Sequence, residues 1–296
     1  MVAAWEEHDT GGNTSIAFDN TDIYKWSGKS VYRSEDWGYF DTTGKEIPYI
    51  KRDRDLGQTF QIKSHKSMLL KSITVMTGFG NNVVRKGTYG KNISVQLFEV
   101  SGEPFLKTNY SGQGIEAYHG FPHNRAGDTI PTERDDFLDG ESFKTIALVR
   151  GGKFPSKKDF GFISEEVDVS PDDTKLKGRF IMFSIPDSIS IKLEPAKKYA
   201  FLIMIDEKCD ECGFTLANQY YGKYDGGHGI RRDGNGQFPP VPANPLKNFT
   251  EEANRKAYES AHFPSDFNAR LKISPGTDGY PDVCTFRDLV FYIEAE

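Results

Sequence analysis

The chain has little of what marks membrane-spanning or nucleic-acid-binding proteins. No apolar run approaches the ~18 residues of a transmembrane helix, so the sequence predicts no membrane span. Acidic residues outnumber basic ones by 43 to 37, and the net charge of −6 lacks the basic excess that is typical of nucleic-acid binding. The start, MVAAWEEHDTGG, has neither the basic nor the apolar region of a signal peptide. We therefore expect neither a membrane span nor a nucleic-acid partner.

Cysteine is also scarce, with three residues in the whole chain, too few for a disulfide framework. Cys209 and Cys212 form a CxxC pair, and Cys284 is the third thiol. A structural zinc site needs a full set of Cys or His ligands, and no second CxxC and no nearby HxxxH supplies them. The spacing therefore favours a local Cys209–Cys212 bridge or two unreactive thiols over a metal site.

The motifs of several enzyme classes are missing as well. No GxSxG, P-loop, HExxH or GxGxxG motif lies in a suitable strand–helix context. The glycine-containing stretch GFGNNVVRKG follows a strand-like run but does not open a helix, so it is a weak phosphate-binding signal. A glycosidase needs two facing carboxylates, and the sequence alone does not pair them.

What the chain has in abundance is strand-like sequence, rich in β-branched and aromatic residues and bounded by turn residues. In the run NISVQLFEV, Ile93, Val95 and Leu97 alternate with Ser94 and Gln96, which is the period of a strand with one buried face. The predicted strands are residues 57–62, 68–79, 92–100, 142–150, 178–185, 188–193, 198–206, 212–219 and 287–296.

These runs predict an all-β fold, an antiparallel β-sandwich of the jelly-roll type with long decorated loops. Helical pattern is confined to residues 250–262, where Thr250 is a candidate N-cap of one short surface helix. We expect a single domain over residues 1–296, with the aromatic-rich segment 1–56 packing on it. Connections as long as 101–141 and 219–286 are usually functional or disordered, and their aromatic content argues against disorder.

The stretch QYYGKYDGGHGIRRDGNGQFPPVP, residues 219–242, is the main candidate site. A sugar ring exposes an apolar face and a fringe of hydroxyls, so its site needs flat aromatic rings beside planar hydrogen-bonding groups. The candidate ligand-binding residues in this stretch are Tyr220, Tyr221, Tyr224, Asp225, His228, Arg231 and Arg232. The alternative is a solvated loop whose tyrosines pack back onto the edge of the sandwich.

Two further clusters have the same residue types. Tyr118, His119 and Arg125 lie in the loop 117–125, where packing of the rings under the loop is the alternative. Trp37 and Tyr39 are either exposed platforms or a hydrophobic plug at one end of the sandwich. A group of lysines and arginines between residues 63 and 91 suits an anionic glycan, but Lys is also a normal residue at a strand edge.

This chemistry requires no cofactor. The sequence leaves open whether a structural Ca²⁺ ion is bound. The acidic stretches PTERDDFLDGE and SPGTDGYPD offer carboxylates and carbonyls, the hard oxygen ligands that Ca²⁺ takes. Neither stretch has the spacing of an EF-hand loop.

Taken together, GQTFQI, LLKSITVMTG, ISVQLFEV, ISIKLEPAKKYAFLIMI, GFTLANQYYGKYDGG and DLVFYIEA resemble the jelly-roll, carbohydrate-binding-module-like domains of secreted bacterial proteins. The similarity covers roughly residues 55–296. It implies an extracytoplasmic β-sandwich that binds glycan. With that location, the first Met is an expression Met on a mature secreted chain whose signal peptide has been removed; the alternative interpretation of the same N-terminus is a cytosolic start. The loops 101–141 and 219–286 are longer than those of a minimal binding module. Inserted loops of this length can also form the walls of an enzymatic cleft, which argues against a purely non-catalytic role.

We therefore predict that the protein is a monomer that binds polysaccharide or oligosaccharide through the 219–242 and 117–125 loops. The alternative is a jelly-roll polysaccharide lyase or glycoside hydrolase that uses the same loops. In a lyase, Tyr224 or His228 would remove the C5 proton and Arg231 would neutralise the uronate carboxylate, or Tyr118, His119 and Arg125 would take these roles. A structural or adhesion domain without a small ligand is the third class.

Overall fold

The computed structural model of the 296-residue chain describes residues 1–9, 13–18, 23–26, 32–33, 38–39, 47–50, 54–106, 138–219, 224–233, 282–284 and 288–296. Within these ranges the chain is built from antiparallel strands and turns, with a single 3-10 turn at Thr174–Leu176. The predicted all-β antiparallel sandwich is confirmed. The helix predicted at residues 250–262 lies outside the described residues. No helix of the described chain is long and apolar enough to cross a membrane.

The strands of the described chain range from 2 to 16 residues in length. They are β1 Ala3–Trp5, β2 Asn13–Ala17, β3 Ile23–Trp26, β4 Tyr32–Arg33, β5 Gly38–Tyr39, β6 Ile47–Ile50, β7 Arg54–Gln61, β8 Met68–Met76, β9 Asn92–Leu106, β10 Leu138–Lys153, β11 Phe180–Ser184, β12 Lys192–Leu193, β13 Lys198–Ile205, β14 Gly213–Gln219, β15 Gly229–Asp233, β16 Asp282–Cys284, β17 Asp288–Leu289 and β18 Phe291–Ala295.

Two large sheets form the body of the structure. The smaller sheet has five strands in the order β1-β18-β8-β11, with β12 also paired to β8. The larger sheet has nine strands in the order β10-β9-β13-β7-β2-β14-β17, and β15 and β16 branch from β7. Two separate strand pairs, β3-β6 and β4-β5, complete the described strands.

The main core lies between the two large sheets. Alternate residues of β9, β13 and β18 enter it, so that Ile93, Val95 and Leu97 pack with residues such as Phe201 and Phe291. Ile93, Val95 and Leu97 share one face, as the alternation predicts, but Ser94 and Gln96 on the opposite face are also buried, so the expectation of a single buried face is wrong. Fully burying an apolar side chain stabilises a fold by about 1.5–3 kcal/mol, which makes this layer the main source of stability.

The larger sheet also buries its second face, because it curls back on itself. Phe98, Phe143, Leu202 and Ile230 form a second apolar cluster there, and β16 lies beside β10. Gly57 of β7 sits where the curl is tight. A Cβ atom at this position would overlap the carbonyl oxygen of Phe201 on the neighbouring strand.

A disulfide joins Cys209 and Cys212, which is one of the two outcomes that the CxxC spacing favoured. The turn that it closes is bonded to two other parts of the fold. Cys209 N donates to the carbonyl of Phe18, and Phe18 N donates to that of Cys212, at 3.3 and 3.2 Å. Gly87 N donates to Glu211 O at 3.1 Å. The bridge thus fastens the end of β2 and the turn after β8 to the start of β14.

Candidate functional site

The described part of the main predicted site, residues 224–233, is fastened to the larger sheet. Tyr224 is 8% exposed and packs edge-on against Phe291, with ring centroids 5.3 Å apart, and near Trp5. Its backbone N–H donates to the carboxylate of Asp288 at 2.9 Å. Burial, together with the charge of Asp288, raises the pKa of Tyr224 to about 12. The ring therefore faces the core and is not a surface for stacking.

His228 is buried in a pair with Glu141, which comes from β10 on the far side of the curl. Its Nε2 lies 2.6 Å from Glu141 Oε2, and its Nδ1 lies 3.0 Å from the carbonyl oxygen of Gly229. Both ring nitrogens are thus occupied.

Arg232 is buried with its own counter-charge on the second face of the larger sheet. Its Nε and one terminal nitrogen donate to Asp55 Oδ2 at 3.0 and 2.8 Å. The other terminal nitrogen donates to Gln96 Oε1 at 3.0 Å. The side chains of Arg232 and Asp55 are both inaccessible to solvent, so this ion pair holds β15 against β7 and β9.

The other residues predicted from the sequence fall into two groups. Asp225 is exposed, and Arg231 lies on β15, paired with Leu56 and Asp282. Tyr39 lies on β5. The remaining candidates lie outside the described residues: Tyr220, Tyr221, Trp37, Tyr118, His119 and Arg125. The structure thus brings Tyr224, His228 and Arg232 to the larger sheet, but as buried residues at separate contacts and not around one open groove.

In the described residues, no three His, Cys, Asp or Glu side chains lie close enough together to hold a metal ion. Of the two stretches proposed for Ca²⁺, most residues lie outside the described ranges. The proposal of a structural calcium ion therefore remains a prediction.

A different surface carries exposed rings, the outer face of the smaller sheet. Phe180 is 56% exposed and Met182 is 60% exposed on β11, and Tyr292 of β18 is partly exposed. The rings of Phe180 and Tyr292 meet above β8, with centroids 5.6 Å apart and planes inclined by 67°. We call Phe180, Met182 and Tyr292 the outer platform.

The outer platform is supported from below and extended at one end. Phe79 and Tyr292 pack on a small buried cluster of Met76, Ala217 and Val290. Phe79 also stacks on His8, with centroids 4.4 Å apart and planes 14° from parallel. The strands beneath the outer platform also bury side chains in the main core, so the side chains of the outer platform are held in place.

Hydrogen-bonding groups border the outer platform. Burial, followed by the charge of the exposed Glu6, raises the pKa of Tyr292. Ser72 Oγ donates to Glu294 Oε2 at 2.7 Å. Thr74 lies between Tyr292 and Met182 in the strand register. Apolar rings beside carboxylates and hydroxyls are the groups that a sugar ring needs.

The outer platform was not predicted from the sequence, although a signal for it exists. In FIMFS, the sequence of β11, both alternating faces are apolar, since Ile181 and Phe183 enter the core while Phe180 and Met182 are exposed. A strand of an antiparallel sheet with one solvent face normally alternates apolar with polar residues. Apolar residues on both sides indicate either an exposed apolar surface, as in β11, or a strand buried on both faces, as in β13.

Comparison with known proteins gives no relative on which a function can be based. No protein-family model, no curated protein and no solved structure matches this chain.

Proposed function

We propose that the protein binds polysaccharide, with the outer platform as its main contact surface. The observation that carries this proposal is the exposure of Phe180 and Met182 beside Tyr292 on a rigid sheet. Aromatic faces attract the apolar C–H face of a sugar ring, and contiguous exposed apolar side chains mark interaction surfaces. The carboxylate of Glu6 supplies a hydrogen-bond acceptor near Tyr292, and the hydroxyl of Thr74, which lies opposite Tyr292 and Met182, supplies a donor and acceptor.

The loops predicted to bind glycan retain a part in this proposal. Asp225 is exposed beside the buried Tyr224, and the loop 117–125 and residues 234–242 keep their predicted role as further contacts. Tyr224 and Arg232, in contrast, serve the fold in this proposal, since both are buried among protein partners. Their substitution is expected to act through stability.

We favour binding over cleavage because Tyr224 and His228, of the first residue set considered for a lyase, are enclosed; the second set, Tyr118, His119 and Arg125, lies outside the described residues. His228 has a partner on each ring nitrogen, and the Tyr224 ring faces Phe291. A general base must reach the proton that it removes, within hydrogen-bond distance. We therefore propose a binding protein, with the lyase or hydrolase as the alternative that product analysis tests.

We further propose that the protein acts as a monomer outside the cytoplasm. The disulfide Cys209–Cys212 supports this location, because disulfides form and persist mainly in oxidising compartments. The resemblance to carbohydrate-binding-module-like domains of secreted bacterial proteins agrees with the same proposal.

Affinity electrophoresis through gels that contain neutral or acidic polysaccharides tests the proposal. We expect at least one polymer to retard the wild type, and Phe180→Ala and Tyr292→Ala each to weaken binding by about 1–2 kcal/mol, roughly five- to thirtyfold in Kd. Ile163→Ala is the matched control, since Ile163 is 91% exposed and lies outside the platform. Equal retardation of all four proteins would remove the outer platform from the site.

Two further measurements distinguish polysaccharide binding from self-association and from enzymatic cleavage. Light scattering after gel filtration detects self-association. A dimer that Phe180→Ala converts to a monomer would contradict the proposal, because the outer platform would then join two copies of the chain. New reducing ends or unsaturated uronates after incubation with the retained polymer would favour the enzyme instead.

A further inference from the structure

We infer that the bridge between Cys209 and Cys212 is a redox-sensitive clasp. Its reduction by a dithiol releases residues 207–212, which we call the clasp turn, from the chain segments at Phe18 and Gly87 while the sandwich stays folded. The clasp turn joins β13 to β14, and it is bonded to the end of β2 and to the turn after β8. A change in the clasp turn therefore acts on both segments at once.

The clasp turn lies in close contact with Gly87. A Cβ atom on Gly87 would lie 2.1 Å from the carbonyl oxygen of Asp210 and 3.1 Å from Cys209 Sγ. Both sulfur atoms of the bridge lie near the carbonyl oxygen of Gly87, at 3.4 and 3.5 Å. The backbone bonds from Cys209 to Phe18 and from Gly87 to Glu211 add to these contacts. The position of Cys209 therefore determines how both segments are held.

The chain next to the clasp turn has hydrogen bonds that do not depend on the bridge. Gly213 O accepts from Arg85 N at 2.9 Å and from Thr88 Oγ1 at 2.8 Å, and Gly213 N donates to Thr88 Oγ1 at 2.9 Å. Val84 and Phe214 form a further β-bridge. A disulfide stabilises less when it closes a short loop, and this one spans a sequence separation of only 3. We therefore expect reduction to loosen the clasp turn without unfolding the sandwich.

Cys209 is the sulfur that a reductant can reach. It is partly exposed and is followed by the exposed Asp210 and Glu211, whereas Cys212 is fully buried. A thiolate of the dithiol attacks Cys209 Sγ, the bond to Cys212 Sγ breaks, and Cys212 leaves as a thiolate that takes up a proton. The second thiol of the reductant then attacks its own sulfur in the mixed disulfide and releases Cys209 as a thiol. The bridge thus gains two electrons and two protons, and the dithiol becomes a disulfide.

Two features make the clasp turn move once the bond is broken. Unbonded sulfur atoms need more room than a bonded pair, and Cys212 is enclosed in the main core, so Cys209 shifts outward and breaks its bond to Phe18. Glu211 has a φ of 54°, a left-handed conformation that is unfavourable for a residue with a side chain. Its relaxation turns the carbonyl that accepts from Gly87 and so breaks the second bond.

Amide hydrogen exchange with and without dithiothreitol tests the clasp. A Cys284→Ser background keeps the third thiol out of disulfide exchange, with the wild type measured beside it, and alkylation with mass spectrometry identifies the reduced cysteines. In the reduced protein we expect the amides of Cys209 and Gly87 to exchange at least about tenfold faster, and those of Leu202 and Phe291 in the core strands to stay unchanged. Unchanged exchange at Cys209 and Gly87 in the fully reduced protein would overturn the inference. A matching rise at Leu202 and Phe291 would overturn it as well, because the bridge would then hold the whole fold.

A variant without the bridge separates loss of the bond from other effects of the reductant. Cys209→Ser with Cys212→Ala places a polar side chain at the partly exposed position and a small apolar one at the buried position. We expect the amides at positions 209 and 87 of this variant to exchange as fast as in the reduced protein, with or without dithiothreitol. Exchange as slow as in the oxidised wild type, or loss of the folded state, would overturn the clasp. Neither experiment involves a polysaccharide, so the proposed function is tested separately.

Discussion

Arg232 is the largest side chain that the described structure buries completely. Removing a guanidinium from water costs several kcal/mol, and the attraction to Asp55 and the bond to Gln96 offset that cost. The pair is therefore expected to matter less for net stability than for fixing β15 in its register on β7. Breaking it by one substitution leaves the other charge buried without its partner.

Arg232→Met is expected to lower the free energy of unfolding by about 3–5 kcal/mol, because Asp55 then remains charged in the interior. The double variant Asp55→Leu with Arg232→Met is expected to lose less than Arg232→Met alone, since no charge is left unpaired. Urea unfolding of the two single variants and the double variant measures this cycle. A double variant that loses the sum of the two single losses would contradict the account.

Tyr224 makes the stability of the fold depend on alkaline pH. Its pKa rises from 10.0 to about 12 on folding because the ring is buried. Between these two pH values the unfolded chain loses the phenol proton while the folded chain keeps it. Stability is therefore fully present below about pH 10 and falls as the pH rises toward about 12, by at most about 1.4 kcal/mol per pH unit.

Tyr224→Phe is expected to reduce this alkaline loss, since phenylalanine has no proton to release. Thermal unfolding followed by circular dichroism between about pH 9 and about pH 12 measures the slope. Burial also raises the pKa of Tyr89 to about 12. Tyr89 therefore still contributes to the alkaline loss of stability in Tyr224→Phe. An unchanged slope in Tyr224→Phe would show that this ring does not carry the effect.

At the scale of the element, the contact between β7 and β13 depends on one glycine. Gly57 lies opposite Leu202, and a side chain there would collide with the backbone of Phe201. Backbone atoms yield less than the end of a flexible side chain. Gly57→Ala is therefore expected to destabilise the fold by about 1–3 kcal/mol or to widen the curl.

Gly151→Ala provides a comparison of a different kind. Gly151 has open space around it but a positive φ of 89°, so alanine there meets backbone strain and no collision. Urea unfolding measures both variants, and a shift of the buried Phe98–Phe143 contact in an experimental structure of Gly57→Ala reports the curl. A Gly57→Ala variant as stable as the wild type, with an unchanged sheet, would contradict the close approach.

The strands predicted from runs of β-branched and aromatic residues lie close to their observed positions, including two that are buried on both faces. Residues 198–206 became β13, Lys198–Ile205, and residues 212–219 became β14, Gly213–Gln219. Only Lys192–Leu193 of the predicted strand 188–193 pairs with a neighbour. Residues 287–296 are divided at Val290 into β17 and β18. The ends of these strands depend on which neighbouring strand pairs with them, and the local sequence does not show that neighbour.

β15 shows why part of the site escaped prediction. Its sequence GIRRD is polar and contains glycine, which is the pattern of a loop. The strand forms because Arg232 finds Asp55 across a separation of 177 residues, and a partner so distant is invisible to local pattern. Tyr224, in contrast, follows the alternative interpretation of this stretch, in which its tyrosines pack back onto the sandwich, since its ring is buried against Phe291. The composition of residues 219–242 marked this stretch as unusual but did not show which of its side chains are buried.

At the scale of the whole molecule, the proposed binding surface and the buried polar pairs are separate. The outer platform lies on the solvent face of the smaller sheet, and the buried pairs of Arg232 and His228 lie on the second face of the larger sheet. Substitutions in the outer platform are therefore expected to change binding with little change in unfolding. Substitutions in the buried pairs are expected to do the reverse.

Ligand binding is nevertheless expected to stabilise the whole fold by mass action. A polysaccharide that binds only the folded chain adds about 2.7 kcal/mol at a concentration of about 100 times its Kd. Differential scanning calorimetry with and without the retained polymer measures the rise in Tm, which Phe180→Ala is expected to diminish and Ile163→Ala to leave intact. A rise of the same size in Phe180→Ala would indicate that the polymer binds elsewhere.

The position of β11 also affects how separate copies of the protein meet. Among the described strands, β11 is the last of the smaller sheet, so it presents both a free backbone edge and the apolar side chains of Phe180 and Met182. Such an edge is a template for unwanted pairing. The net charge of −6 keeps copies apart at low ionic strength, but charges are screened beyond ~3 Å at about 1 M salt. A polymer lying along β11 would then also act as a cover for this strand, shielding from aggregation a surface that the unoccupied protein leaves open.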